Sequence, residues 1–175
     1  MKKMKMYLMT AILGVASLSM VFTSCNTDEC KDVVCQNGGL CQDSDGSCEC
    51  PVGFEGTNCE TYSKVKFLGD YKGDGIDTDN DTYTGWTIRI IDADATSTTA
   101  VNVALLDDNN AQQESFTGSM SATGVLTLDD KTAATYTTDL GSGTVTEGVS
   151  MNLTVRYNPL AGSPYTITFS NMVKQ

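Results

Sequence analysis

The 175-residue sequence contains no histidine. Ser-His-Asp triads, Cys-His pairs and His-ligated zinc centres are therefore out of reach. Basic residues are also scarce, 11 Lys and Arg against 22 Asp and Glu, for a formal charge of −11. A chain so acidic repels phosphate backbones, which argues against any nucleic-acid partner. No cysteine follows Cys59, and the chain has a single tryptophan, Trp86. Long apolar runs are missing too. The longest, Tyr7–Val21, is about 15 residues, short of the roughly 20 that a membrane-spanning helix needs.

What is present at the N-terminus points to export. Lys2, Lys3 and Lys5 precede the apolar run, the order expected of a signal peptide over residues 1–24. The run ends in Phe22-Thr23-Ser24-Cys25. An apolar residue, two small residues and a cysteine resemble the lipobox of bacterial lipoproteins. That resemblance implies cleavage before Cys25, acylation of Cys25 and membrane attachment through its acyl chains. Residues 25–29 would be a lipidated tether. Losing three lysines with the signal leaves eight basic residues against 22 acidic, a formal charge of −14. Asn26, rather than aspartate, follows Cys25, and acidic Asp28 and Glu29 lie just beyond. In such lipoproteins this pattern implies the outer membrane, facing the cell surface.

Cys30, Cys35, Cys41, Cys48, Cys50 and Cys59 fall within 30 residues, at gaps of four, five, six, one and eight. A segment this short cannot bury enough apolar surface to fold without cross-links. An even count in an exported chain reads as a disulfide framework, for which fifteen pairings exist. Paired C-x2-C spacing of the zinc type is absent. With Gln36-Asn37-Gly38-Gly39 between the second and third cysteines, and Cys48-Glu49-Cys50-Pro51-Val52-Gly53-Phe54-Glu55-Gly56-Thr57-Asn58-Cys59 closing the unit, residues 30–59 resemble an epidermal-growth-factor-like module. The resemblance implies the pairing Cys30–Cys41, Cys35–Cys48 and Cys50–Cys59. Gly38, Gly39 and Gly53 are expected at turns with positive φ.

Some modules of this family bind calcium before the first cysteine. Asn26, the carbonyl of Thr27, Glu29, and Asp43 after the third cysteine occupy matching positions, which makes Ca2+ the one candidate cofactor. The short Cys41–Cys48 loop and the few oxygen donors favour a solvated acidic tether instead. A second candidate set, Asp77, Asp79 and Asp81, has the one-three-five spacing of an EF-hand loop. Thr82 stands where that loop needs glycine and Ile88 where it needs glutamate, so a solvated loop is again favoured.

After a linker at residues 60–63, residues 64–175 alternate apolar with polar: Val65, Phe67 and Tyr71; Trp86, Ile88 and Ile90; Val101, Val103 and Leu105; Leu153, Val155 and Tyr157; Tyr165, Ile167 and Phe169. Period-two alternation marks strands with one buried face. Weaker runs lie at 113–120, 124–128 and 133–138. Turn signals separate the runs: Asp107-Asp108-Asn109-Asn110, Asp129-Asp130, Gly141-Ser142-Gly143 and Asn158-Pro159 through Pro164. The chain is thus expected to be mainly β, with eight short strands in an antiparallel meander. Such a meander closes as a barrel or folds over as a sandwich, and the barrel is preferred. Leu68-Gly69-Asp70-Tyr71-Lys72-Gly73 resembles, over six residues, the opening element of lipocalins and related barrels. The expected interior comprises Phe67, Trp86, Ile88, Val103, Leu153, Val155, Ile167 and Phe169.

Catalysis would have to rest on carboxylates. The C-terminal domain has only Glu114 and Glu147 as glutamates, and its aspartates gather in turns, where they cap local backbone. The expected function is therefore a non-enzymatic, surface-anchored outer-membrane lipoprotein. Its disulfide-rich spacer presents a β-domain to an unknown protein, a glycan or a small apolar ligand. Two alternatives are a carrier with a small apolar ligand inside the barrel, and a calcium-binding lipoprotein.

Overall fold

The structure, a computed structural model, describes residues 28–147 and 149–175. Its N-terminal part is held by covalent bonds more than by packing. Disulfides join Cys30 to Cys41, Cys35 to Cys48 and Cys50 to Cys59. Two minimal hairpins accompany them: β1 (Leu40–Cys41) with β2 (Cys48–Glu49), and β3 (Phe54–Glu55) with β4 (Thr61–Tyr62). Gly38 and Gly53 lie at φ 81° and 94°, in the region closed to most side chains. Gly39 does not. Its reason is space, because a Cβ there would sit 2.7 Å from the Cys59 sulfur.

The join to the second part is tight. β4 pairs with β3, bringing the Phe54 and Tyr62 ring centroids to 5.0 Å at a tilt of 35°, and the Ser63 N–H donates to the Gly53 carbonyl at 2.9 Å. A 3-10 helix, Ser63–Phe67, follows where alternation predicted the opening of a strand. The alternation misleads because Phe67 turns inward as an end plug, 3% exposed, while Val65 stays at the surface. Lys64 is fully buried beneath the helix, its Nζ donating to Asp92 Oδ1 at 2.7 Å and to the carbonyls of Asp94 and Ala100.

Strands β5 (Gly69–Asp77), β6 (Thr82–Asp92), β7 (Ala100–Leu106), β8 (Gln112–Met120), β9 (Val125–Leu128), β11 (Tyr136–Thr146), β12 (Ser150–Pro159) and β13 (Tyr165–Lys174) run up and down in sequence, all antiparallel. The short β10 (Lys131–Thr132) adds to β11. β13 returns to pair with β5, placing Phe169 opposite Gly75, and β9 pairs with β11 across Gly143 and Leu126. These two pairings close an eight-stranded barrel and rule out the sandwich.

Closure explains a misread turn. Gly141-Ser142-Gly143 lies inside β11, not between strands. A Cβ on Gly141 would stand 2.6 Å from Leu128, so the glycines let neighbouring chains approach closely. Gly75 serves the same end, since its Cβ would meet the Phe169 ring at 2.6 Å. Asp77, expected in a solvated loop, is the last residue of β5.

Inward side chains from all eight strands merge into one apolar cluster that includes Tyr71, Ile88, Val103, Phe116, Leu126, Val145, Leu153 and Phe169. Eight strands leave an interior about wide enough for side chains of this size. Of the expected interior residues, only Trp86 departs from full burial. It lies half-buried against the cluster, 5.9 Å from the Phe169 ring.

Candidate functional site

The two ends of the barrel are built differently. The end nearer the disulfide module is closed by the 3-10 helix, Phe67 and the Lys64 clamp. Nearby, Lys66 pairs with Glu55 at 2.7 Å, and Lys174 donates to the Lys66 carbonyl at 3.1 Å. The opposite end is formed by the turns at residues 78–81, 107–111 and 160–164 and by the segment joining β9 to β11.

That far end gathers most of the tyrosines. Tyr83 and Trp86 on β6 meet edge to face at 5.4 Å. Tyr157 on β12 stacks on Tyr165 of β13 at 5.2 Å and meets Tyr136 of β11 edge-on at 5.4 Å. The arc runs from β6 past Asp77 of β5 to β13, β12 and β11. Tyr157 belongs to the buried core cluster, and Tyr83, Trp86, Tyr136 and Tyr165 pack against it partly buried.

Carboxylates bind the hydroxyls. Tyr136 donates to Glu114 Oε1, and Lys131 donates to Glu114 Oε2 at 2.5 Å while its ammonium lies 5.2 Å from the Phe116 ring. Tyr83 donates to Asp77 Oδ2 at 3.1 Å. Burial and the Asp77 bond push the Tyr83 hydroxyl up to about 12. Tyr136 and Tyr157 also ionise above the ordinary phenol range, through burial first and Glu114 second. Tyr165 moves the same way, for burial and then the charges of Glu114 and Asp77. The mouth therefore holds neutral phenols around one lysine-paired carboxylate.

The sequence-derived metal candidates fare differently. Cys25, Asn26 and Thr27 lie outside the described residues, as does the signal segment. Glu29 and Asp43 are exposed. Asp77 Oδ1 accepts the backbone N–H groups of Asp79 and Asp81, both at 2.9 Å, so it caps the hairpin turn. Among the described residues, no three acidic or cysteine side chains converge in a way that could hold a metal ion. Glu114 and Glu147 sit at opposite ends of the barrel, Glu147 lying 3.9 Å from Lys66. Tyr157 and Tyr165 fit the strand alternation, and Tyr83 and Tyr136 belong to no motif of the sequence. The usable signal was their placement, since all four flank turns on the same side of the meander.

No family model matches the chain. Two sea-urchin proteins are similar to part of it. Fibropellin-1 of Strongylocentrotus purpuratus is 38% identical over 56 residues, 31% of this chain and 5% of that protein. Fibropellin-3 of the same organism is 36% identical over 55 residues, 30% of this chain and 10% of that protein. The chain thus spans a tenth or less of the length of these relatives. Together with the three bridges, the likeness supports an epidermal-growth-factor-like module ahead of a closed eight-stranded antiparallel barrel.

Proposed function

We propose that this chain is a non-catalytic binding lipoprotein of the outer membrane, anchored through Cys25 and displayed at the cell surface. The disulfide-rich module acts as a stiff spacer, and the barrel is the binding unit. The observation that carries this reading is the fastening of the module to one end of the barrel. The Lys64 clamp, the β3–β4 pairing and the Lys66–Glu55 ion pair occupy that end and leave the opposite, aromatic mouth facing away from the N-terminus. A spacer joined so closely transmits orientation, which a flexible linker would not. The contiguous apolar cluster inside the barrel favours a scaffold whose ligand meets the rim, over a carrier with an apolar ligand enclosed.

Metabolic labelling with a palmitate analogue, followed by protease treatment of intact cells, tests the reading. The chain should carry the label and be shaved from the surface, and Cys25→Ala should lose both properties. Labelling that persists in Cys25→Ala, or a labelled chain that the protease never reaches, refutes it.

A further inference from the structure

Tyr157 is only 4% exposed, yet among the described residues its hydroxyl has no hydrogen-bond partner. No fully buried side-chain nitrogen or oxygen is left unpaired among those residues. The hydroxyl must therefore touch solvent, at the end of the barrel that also holds the Glu114 carboxylate and the neutral phenols of Tyr136, Tyr165 and Tyr83. A phenol held by two neighbouring rings, its hydroxyl unpaired among the described residues, can accept a hydrogen bond from outside.

The ring geometry and the surrounding charge narrow the ligand. Tyr83 and Trp86 stand at 89° to one another, and Tyr136 and Tyr157 at 67°. Five aromatic rings thus border one mouth, and a ring face left uncovered by its neighbours attracts an organic ammonium ion. The turns bordering this end carry Asp79, Asp81, Asp107, Asp108, Asp129 and Asp130, while Lys131 is already bound to Glu114. A field of that sign concentrates cations at the mouth and repels anions. A neutral sugar would also stack on tyrosines, but it would gain nothing from the acidic surroundings.

We propose that the mouth formed by Tyr83, Trp86, Tyr136, Tyr157 and Tyr165 around Glu114 binds a small organic ammonium ion that bears a hydroxyl or N–H donor for the Tyr157 oxygen. This deepens, and rests on, the reading of the barrel as the binding unit.

Trp86 is the protein's single tryptophan, so its emission reports the site directly. Choline should be titrated into the full chain at constant ionic strength, alongside its neutral carbon isostere and methyl glucoside. Choline should change the emission saturably, with the isostere and the glucoside at least tenfold weaker. Tyr157→Phe keeps the ring and the fold, checked by its unfolding curve, and should weaken choline binding several-fold. An isostere or glucoside that binds as well as choline overturns the proposal, as does a folded Tyr157→Phe that binds choline unchanged. Neither result touches the palmitate and surface-shaving test, so a failed cage and a failed anchor are told apart.

Discussion

The buried lysine at the junction offers the sharpest energetic test. Lys64 has no exposed side-chain surface, and its ammonium donates to Asp92 Oδ1 at 2.7 Å, to the Asp94 carbonyl at 2.8 Å and to the Ala100 carbonyl at 3.2 Å. Lys64→Met keeps an unbranched, apolar stem in the same space and removes only the charge. Breaking one side of a buried ion pair typically costs about 3–5 kcal/mol, because the partner is left charged and unpaired. Here Asp92 retains 35% exposure, so water recovers part of its loss. The two carbonyls lose charge-assisted bonds worth roughly 1.5–3 kcal/mol each when intact, and regain some through solvent. The expected loss is about 2–4 kcal/mol. In urea, with a slope of about 1–3 kcal/mol/M, the midpoint should fall by roughly 1–2 M at unchanged slope. Trp86 emission provides the signal. Asp92→Asn should cost less, since both carbonyl bonds survive, and the double variant should be clearly non-additive. A Lys64→Met loss below about 1 kcal/mol at unchanged slope would show that the lysine does not fasten the junction.

Two further outcomes follow from the barrel. Gly75→Ala places a methyl against the Phe169 ring and should destabilise by about 1–3 kcal/mol, as overpacking does; Phe169→Leu in the same chain should recover part of that loss, and strict additivity in urea unfolding would contradict the close approach. For the mouth, spectrophotometric titration should show most phenolate absorbance appearing above the ordinary tyrosine range, with Tyr83 near 12. Because these folded-state values are raised, their contribution to stability is complete below about pH 10 and declines as pH rises through the folded values. Full phenolate signal by pH 10 in a folded chain would contradict the buried aromatic arc.

Cysteine spacing was the most legible part of the sequence. Six cysteines allow fifteen pairings, and the one that the family resemblance implies is the one the structure contains. Strand parity in β7, β12 and β13 was equally plain, because Val103, Leu153, Val155, Ile167 and Phe169 alternate without interruption and all lie inside. Errors arose where one residue type serves two purposes. Glycine marks turns, yet Gly141 and Gly143 are strand residues that make room for chain closure, a fact set by β9 and β12 far along the chain. Trp86 shares parity with Ile88, but Gly85 at φ 68° turns the strand just before it and leaves the ring at the rim. The mouth was hidden for a related reason. Tyr83, Tyr136, Tyr157 and Tyr165 become neighbours only when the meander closes, and each alone is an ordinary strand aromatic.

The distribution of the few positive charges ties fold to display. Lys64, Lys66 and Lys174 all lie at the module end, where they bind carboxylates and carbonyls of the junction. The far mouth keeps its acidic turns, with Lys131 committed to Glu114. Strands of this length, at about 3.3 Å per residue, set the two ends more than 20 Å apart even when tilted. Fields of exposed charges fade over about 8 Å at physiological ionic strength. An anionic membrane beneath an N-terminal anchor would thus exert little repulsion on the acidic crown, and electrostatics alone would not point the mouth outward. That direction must come from the stiffness of the junction. Placing scarce lysines there, one of them wholly buried, suits the proposed display, in which the barrel mouth is held away from an N-terminal anchor.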